Sequence, residues 1–187
     1  MPNTGRGVVL ATAAAFEHPL RHVESLVALV GAVTNIPVLR RADSSDPTNV
    51  SLVEEADTVY LLGPNPMHQR SAFQGTPLFE AISRVMPRGG TVVGIGWAGA
   101  GLCDPAVDPR GGGLGLGLGL VRDTAMYPID ATTDRMHIAR TVGLAGKGIQ
   151  ILAIDSDGIA VFDGTTWSTA GATIAYRGGK EVTLGSY

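Results

Sequence analysis

Gly90-Thr-Val-Val-Gly-Ile-Gly-Trp-Ala-Gly-Ala-Gly101 is the stretch on which the reading of this chain turns. Its first half, Thr91 to Ile95, is β-branched and apolar between glycines, which is the pattern of a short buried strand. Its second half, Gly96 to Gly101, is too rich in small residues to continue that strand and reads as the sharp turn that leaves it. Upstream, Thr76-Pro77 starts a helix with Pro in its first turn and Leu78, Ala81, Ile82 and Val85 on one face, and Gly89-Gly90 stops it. Before that helix lie a Pro-broken turn, Gly63-Pro-Asn-Pro66, and the apolar strand Thr58 to Leu62.

The same alternation runs back to the start. Gly7 to Thr12 reads as a strand, and Pro19 to Ala32 as a helix with Leu20, Val23, Leu26, Val27 and Val30 as its apolar stripe. Ile36 to Leu39 reads as a second strand, Asp43 to Asn49 as a polar loop and Val50 to Ala56 as a short helix. Strands alternating with helices at this spacing predict an α/β fold with a largely parallel central sheet and right-handed crossovers. Downstream the texture changes. Gly111 to Leu120 alternates glycine with leucine, which predicts a strand with one bare face that a neighbouring segment can approach closely. Thr133 to Val142 reads as a helix and Ile149 to Ile154 as a strand. Gly158 to Phe162, Thr166 to Ser168 and Thr173 to Tyr176 read as a short antiparallel C-terminal portion with Asp163-Gly164 as a hairpin turn.

A chain of 187 residues, 44% hydrophobic, is long enough for one sizeable core and predicts a single domain over 1–187. Aromatic content of 5% leaves that core to Ala, Val, Leu and Ile, which suits helices on a buried sheet. Net charge is −3 with no dense basic cluster, which argues against nucleic acid and anionic membranes as partners. One cysteine, Cys103, and four scattered histidines give neither a disulfide nor metal-ligand spacing, so no metal and no cofactor are expected. With no signal-peptide pattern and no membrane-length apolar run, the expectation is a cytoplasmic protein.

In a parallel sheet, ligands bind beyond the carboxyl ends of strands. The segments in that position by this reading are Thr12 to Phe16, Gly63 to Pro66, Gly94 to Gly101, Asp123 to Asp130 and Asp155 to Asp157, and all five are expected on one rim. The cleft candidates in and beside them are Gly63, Asn65, His68, Gly96, Trp97, Ala98, Asp123 and Asp130, with Asp134 and Asp155 as weaker ones. Gly94 to Gly99 also satisfies G-x-G-x-x-G, with Asp123 at the carboxylate interval of a dinucleotide site. Asp104-Pro105 leaves little room for the helix such a site needs, so nucleotide binding ranks as an alternative.

Five motifs in order resemble the S51 serine peptidases, the cyanophycinases and dipeptidase E, whose fold is of the class I glutamine amidotransferase type. Ala11 to Ala15 is similar to the exit of that family's first long strand, and Gly75-Thr-Pro-Leu78 to its G-T-P-L. Gly90 to Gly101 is similar to its G-x-G-x-S-A-G-A elbow, Asp123-Thr-Ala-Met126 to its D-T-H-F, and Ile154-Asp155 with Ile159 to Val161 to its late strand. The resemblance implies a three-layer fold and a Ser–His peptidase site, and several departures from the pattern bear on that site. The serine position holds Trp97 in one register and Ala98 in another, the histidine position holds Ala125, and the acidic position falls near Ser156. Pro64 stands in the turn whose backbone N–H groups would form the oxyanion hole. His137 and Arg140 are similar to the family's arginine-bearing helix.

Loss of nucleophile, base and an oxyanion donor together predicts a protein without serine-peptidase chemistry. Its inherited cleft is then expected to serve another reaction or to bind a peptide or small metabolite, with Trp97 either lining the cleft as a stacking face or plugging it. A hydrolase with a different nucleophile, Cys103 among the options, is the alternative. The chain also lacks the family's N-terminal strand, which leaves a sheet edge on which a homodimer could form.

Overall fold

The computed structural model describes residues 5–131 and 133–186. These gather into two compact units, one running to Gly99 and the other from Ala100.

The first unit is built on four parallel strands, β1 (Gly7–Leu10), β2 (Thr34–Asn35), β3 (Thr58–Leu61) and β4 (Thr91–Gly94), in the order β2-β1-β3-β4. Register is direct: Val9 lies beside Tyr60, and Tyr60 beside Val93. Val9, Ala11 and Ala14 pack with Leu62 against Val23 and Leu26 of helix α1 (Pro19–Val30). Successive strand residues point to opposite faces, so Val8, Leu10, Val59 and Leu61 fill the other side and are buried too. A strand buried on both faces is the reason these runs are apolar throughout. Helices α2 (Pro47–Glu54) and α4 (Pro77–Ser83) pack on one another and bury Val53, Leu78, Ala81 and Ile82.

Three helices start by one rule. Asp46, Asn65 and Thr76 each accept from a backbone N–H of the first turn, and each is followed by Pro at the first helical position. Helix α3 (Pro66–Phe73) obeys it and fills a segment to which the sequence reading assigned no element. The polar loop expected at Asp43 to Asn49 is a 3-10 turn, Arg41–Ser45, followed directly by α2. The strand expected at Ile36 to Leu39 is also corrected. Ile36 N–H still donates to Val9 O, but Val38 N–H, the next that would face β1, turns back to Ile36 O across Pro37, so pairing stops although Ile36 and Val38 remain buried. Of the predicted stripe on α1, only Val23 and Leu26 are buried; Leu20, Val27 and Val30 are exposed. The elbow carries one helical turn, α5 (Trp97–Ala100).

In the second unit, β5 (Cys103–Asp104) and β6 (Ala106–Val107) are followed by β7 (Leu114–Gly115) and β8 (Val121–Arg122), which pair with β6 and β5 in turn. The glycine–leucine tract is therefore not one strand. Gly112 and Gly119 adopt positive φ and break the extended run. Close approach does occur, at Gly117, whose N–H donates to Asp104 Oδ1 at 3.0 Å while Leu118 and Leu120 donate to the carbonyls of Gly101 and Leu102.

A mixed sheet follows. Strand β9 (Thr124–Pro128) runs parallel to β10 (Gln150–Ile154), on whose far side β13 (Thr173–Arg177) and β14 (Lys180–Val182) are antiparallel. Helix α6 (Arg135–Leu144), capped by Asp134, leads from β9 to β10. Strands β11 (Ile159–Phe162) and β12 (Trp167–Ala170) form the expected hairpin, and β15 (Gly185–Ser186) pairs with β12. In its turn Asp163 accepts from the N–H groups of Thr166 and Thr165 and from the Thr166 hydroxyl, bonds that hold its carboxyl below the usual carboxylate range.

Candidate active site and adjoining cleft

Chain direction reverses between β1 and β3: the chain leaves β1 for β2 on one side and returns to β3 on the other. In an open α/β sheet, the crevice beyond that switch point is the usual ligand seat. Here it is closed by backbone. Thr12–Ala14 forms a 3-10 turn after β1, and Asn65 N–H donates across to Ala13 O at 2.9 Å. Gly63, at φ +120°, lies so close that a Cβ there would sit 2.2 Å from the Ala14 nitrogen. Only glycine allows the two exits to touch.

A cleft of about 310 Å³ opens beside this seam. One wall is α1, with Leu26 and Leu29 and, one turn apart, His22 and Ser25. The other is made where β3 and β4 leave the sheet, by Gly63 and Pro64 and by Ile95, Gly96 and Trp97. Leu29 is 85% exposed and Ile95 44%, so apolar surface is left bare at the mouth. Ser25 Oγ donates to Arg21 O at 2.9 Å, which leaves its lone pairs free to accept.

The elbow itself departs from the sequence reading in one respect. Its tip is Gly96, at φ +57°, between the end of β4 and the first residue of α5. A Cβ there would meet nothing within 4 Å. Trp97 follows as the first helical residue. Ala98 is fully buried, and its carbonyl accepts from Gln69 Nε2 at 3.0 Å; the Gln69 side chain is itself buried, with Oε1 unpaired. Gly99 has the packing role of the last glycine in such elbows, since a Cβ would stand 2.7 Å from Gly94 O. The helix after the G-x-G-x-x-G match has four residues, too few to present a dinucleotide-binding amino terminus.

The other sequence candidates serve elsewhere. Asn65 caps α3 through His68 N–H, and His68 Nε2 lies 2.8 Å from Leu39 O with its ring edge-on to Phe16. His68 is thus a helical residue with a backbone partner. Asp123 follows strand β8, as expected, but it also stands at the amino end of β9 with φ +55°, and its carbonyl accepts from Gln150 N–H. Because β9 and β10 are parallel, Asp130 and Asp155 lie at the opposite end of that sheet from Asp123, and one common rim for all three is excluded. Asp130 and Thr133 bond one another, Asp134 caps α6, and Asp155 accepts from Ser156. Burial first, and then the charges of Asp130 and Asp134, push the Tyr127 phenol up. Ala125 is fully buried in mid-strand.

Cys103 is buried, and burial with the neighbouring Asp104 charge pushes its thiol up to about 12, which keeps it a neutral thiol and a poor nucleophile. A shallow depression at Glu54, Arg84 and Arg88 offers no free polar group, since Arg84 pairs with Glu54 and Arg88 donates to the carbonyls of Val53 and Ala56. Among the described residues, no three His, Cys, Asp or Glu side chains are grouped to hold a metal ion, and no helix is long and apolar enough to cross a membrane.

The sequence pattern missed His22, Ser25 and Leu29. Leu29 lies off the apolar stripe of α1, and an apolar residue on the wrong face of an amphipathic helix was the available signal.

No family model matches this chain, and no curated protein matches it either. Among solved structures, that of a peptidase from an acI-B1 Actinobacterium superposes over 97% of this chain and 80% of its own, with a TM-score of 0.74 and 22% identity. The chain therefore shares a peptidase-like α/β fold.

Proposed function

We propose that this is an S51-peptidase-like protein, of the class I glutamine amidotransferase-like fold, that binds a peptide or small molecule beside a former nucleophile elbow and carries out no serine-peptidase hydrolysis. The observation that carries this reading is Gly96. In elbows of this type the nucleophile occupies the sharp, strained strand-to-helix turn. The residue with that conformation here has no side chain, and Trp97 and Ala98 are already inside the helix. Pro64, with no N–H, removes a donor from the turn beside it.

The test pairs an activity assay with covalent labelling. The protein is expected to leave Asp-Leu and β-aspartyl-arginine intact and to remain unlabelled by a fluorophosphonate. Turnover of either dipeptide at ordinary enzyme rates overturns the reading. A second reading, hydrolysis through another nucleophile, is favoured by one observation only: Ser25 and His22 stand one turn apart on α1 and line the same cleft. Fluorophosphonate labelling that maps to Ser25 would select it.

A further inference from the structure

We infer that the cleft between α1 and the elbow takes an uncharged, planar, ring-sized ligand, and that it has no place for the acidic dipeptides hydrolysed by S51 peptidases. This rests on the reading of the cleft as a binding site, and it names what the site selects.

Charge comes first. The cleft is lined by no Lys, Arg, Asp or Glu side chain. An α-carboxylate or aspartyl side chain seated there would lose water and meet no Lys or Arg, with His22 and Ser25 as the polar side chains left to replace it. Size comes second. A space of about 310 Å³ lies at the lower end of small-ligand pockets and suits a fused ring of on the order of 10 heavy atoms. A helix about 10 Å across does not fit.

Shape and polarity come third. Pro64 and Trp97 contribute rigid apolar surfaces, and an aromatic ligand stacks well on an indole. Polar side chains are confined to His22 and Ser25, both on α1, so the ligand's side-chain hydrogen bonds fall along one edge. Ser25 Oγ, whose proton is engaged by Arg21 O, accepts from an N–H or O–H on that edge. Indole combines these properties.

The chain holds two tryptophans, Trp97 at the cleft and Trp167, whose indole N–H donates to the Thr124 hydroxyl at 3.2 Å. The full chain, labelled with ¹⁵N, therefore gives two indole N–H resonances, assigned with Trp97→Phe and Trp167→Phe. Indole is titrated against the wild-type protein and against Leu29→Glu, which puts a carboxylate at the mouth. Leu29 is 85% exposed, so this variant folds, and a circular-dichroism melt that matches wild type verifies it.

The expected result is saturable movement of the Trp97 resonance alone, with a midpoint on the order of 1 mM. Leu29→Glu should raise that midpoint about tenfold or more. No movement up to the solubility of indole, equal movement of both resonances, or a midpoint unchanged in Leu29→Glu would overturn the inference. Asp-Leu serves as the charged probe. If it shifts Trp97 while indole does not, the ligand class is wrong and the cleft remains a binding site; hydrolysis of Asp-Leu instead defeats the proposed function.

Discussion

Gly117→Ala tests how the glycine–leucine tract is held. A Cβ at Gly117 would lie 1.6 Å from the carbonyl oxygen of Cys103, whereas ordinary contact begins at 3.4 Å, so the two segments must part by the difference, 1.8 Å. Parting them stretches three hydrogen bonds: Gly117 N–H to Asp104 Oδ1, Leu118 N–H to Gly101 O, and Leu120 N–H to Leu102 O. Each is worth about 1 kcal/mol net, and overpacking adds roughly 1–3 kcal/mol, for a total of roughly 4 kcal/mol or more. For a chain of this length that corresponds to a fall of roughly 10 °C in the melting midpoint. Gly113→Ala is the control, because a Cβ there meets nothing within 4 Å and φ is not positive. It should leave the midpoint unchanged or slightly raised. Circular-dichroism melts of both variants decide the matter. If Gly117→Ala melts within about 2 °C of Gly113→Ala, Gly117 does not pack against the Cys103 carbonyl.

Other perturbations have equally definite outcomes. Gly96→Ser has space for its side chain and carries only the strain of φ +57°, so it should cost about 1 kcal/mol in urea unfolding and give no peptidase activity, whereas Gly63→Ala, with its Cβ 2.2 Å from Ala14 N, should fail to accumulate as folded protein. Asn65→Ala removes the cap of α3 and should lower stability by about 1 kcal/mol in the same assay. Cys103 should resist iodoacetamide in the native state and react once urea unfolds the chain. Its thiol is raised from 9.0 to about 12, so the unfolded chain releases a proton that the folded one keeps; stability is full below pH 9 and falls by roughly 1.4 kcal/mol per pH unit toward pH 12. Cys103→Ala should remove that part of the alkaline slope.

The first half of the chain was legible where local chemistry and burial agree. β1, β3, β4 and α4 stand close to where apolar runs and Thr76-Pro77 put them, and the C-terminal hairpin turns at Asp163-Gly164 as read. α3 was missed although Asn65-Pro66 has the same cap-and-proline grammar as Thr76-Pro77. Two prolines around one asparagine look like a turn until the helix behind them is known. The glycine–leucine tract misled for a physical reason: period-two alternation predicts a strand only if every glycine takes extended φ, and Gly112 and Gly119 do not. In the site, Gly63 and Trp97 were legible as neighbours of strand ends. His22 and Ser25 were not, because their place follows from how α1 lies against Leu62, a tertiary relation that no local pattern encodes.

Gly96 has a use beyond the chemistry it lacks. The chain's single native thiol is buried, and nothing stands within 4 Å of where a Cβ at residue 96 would be. A cysteine installed there would be the one accessible thiol, at the lip of the cleft. A spin label or an electrophilic fragment tethered to it would report on, or search for, whatever ligand the cleft accepts. The open space at Gly96 thus becomes a socket for a probe.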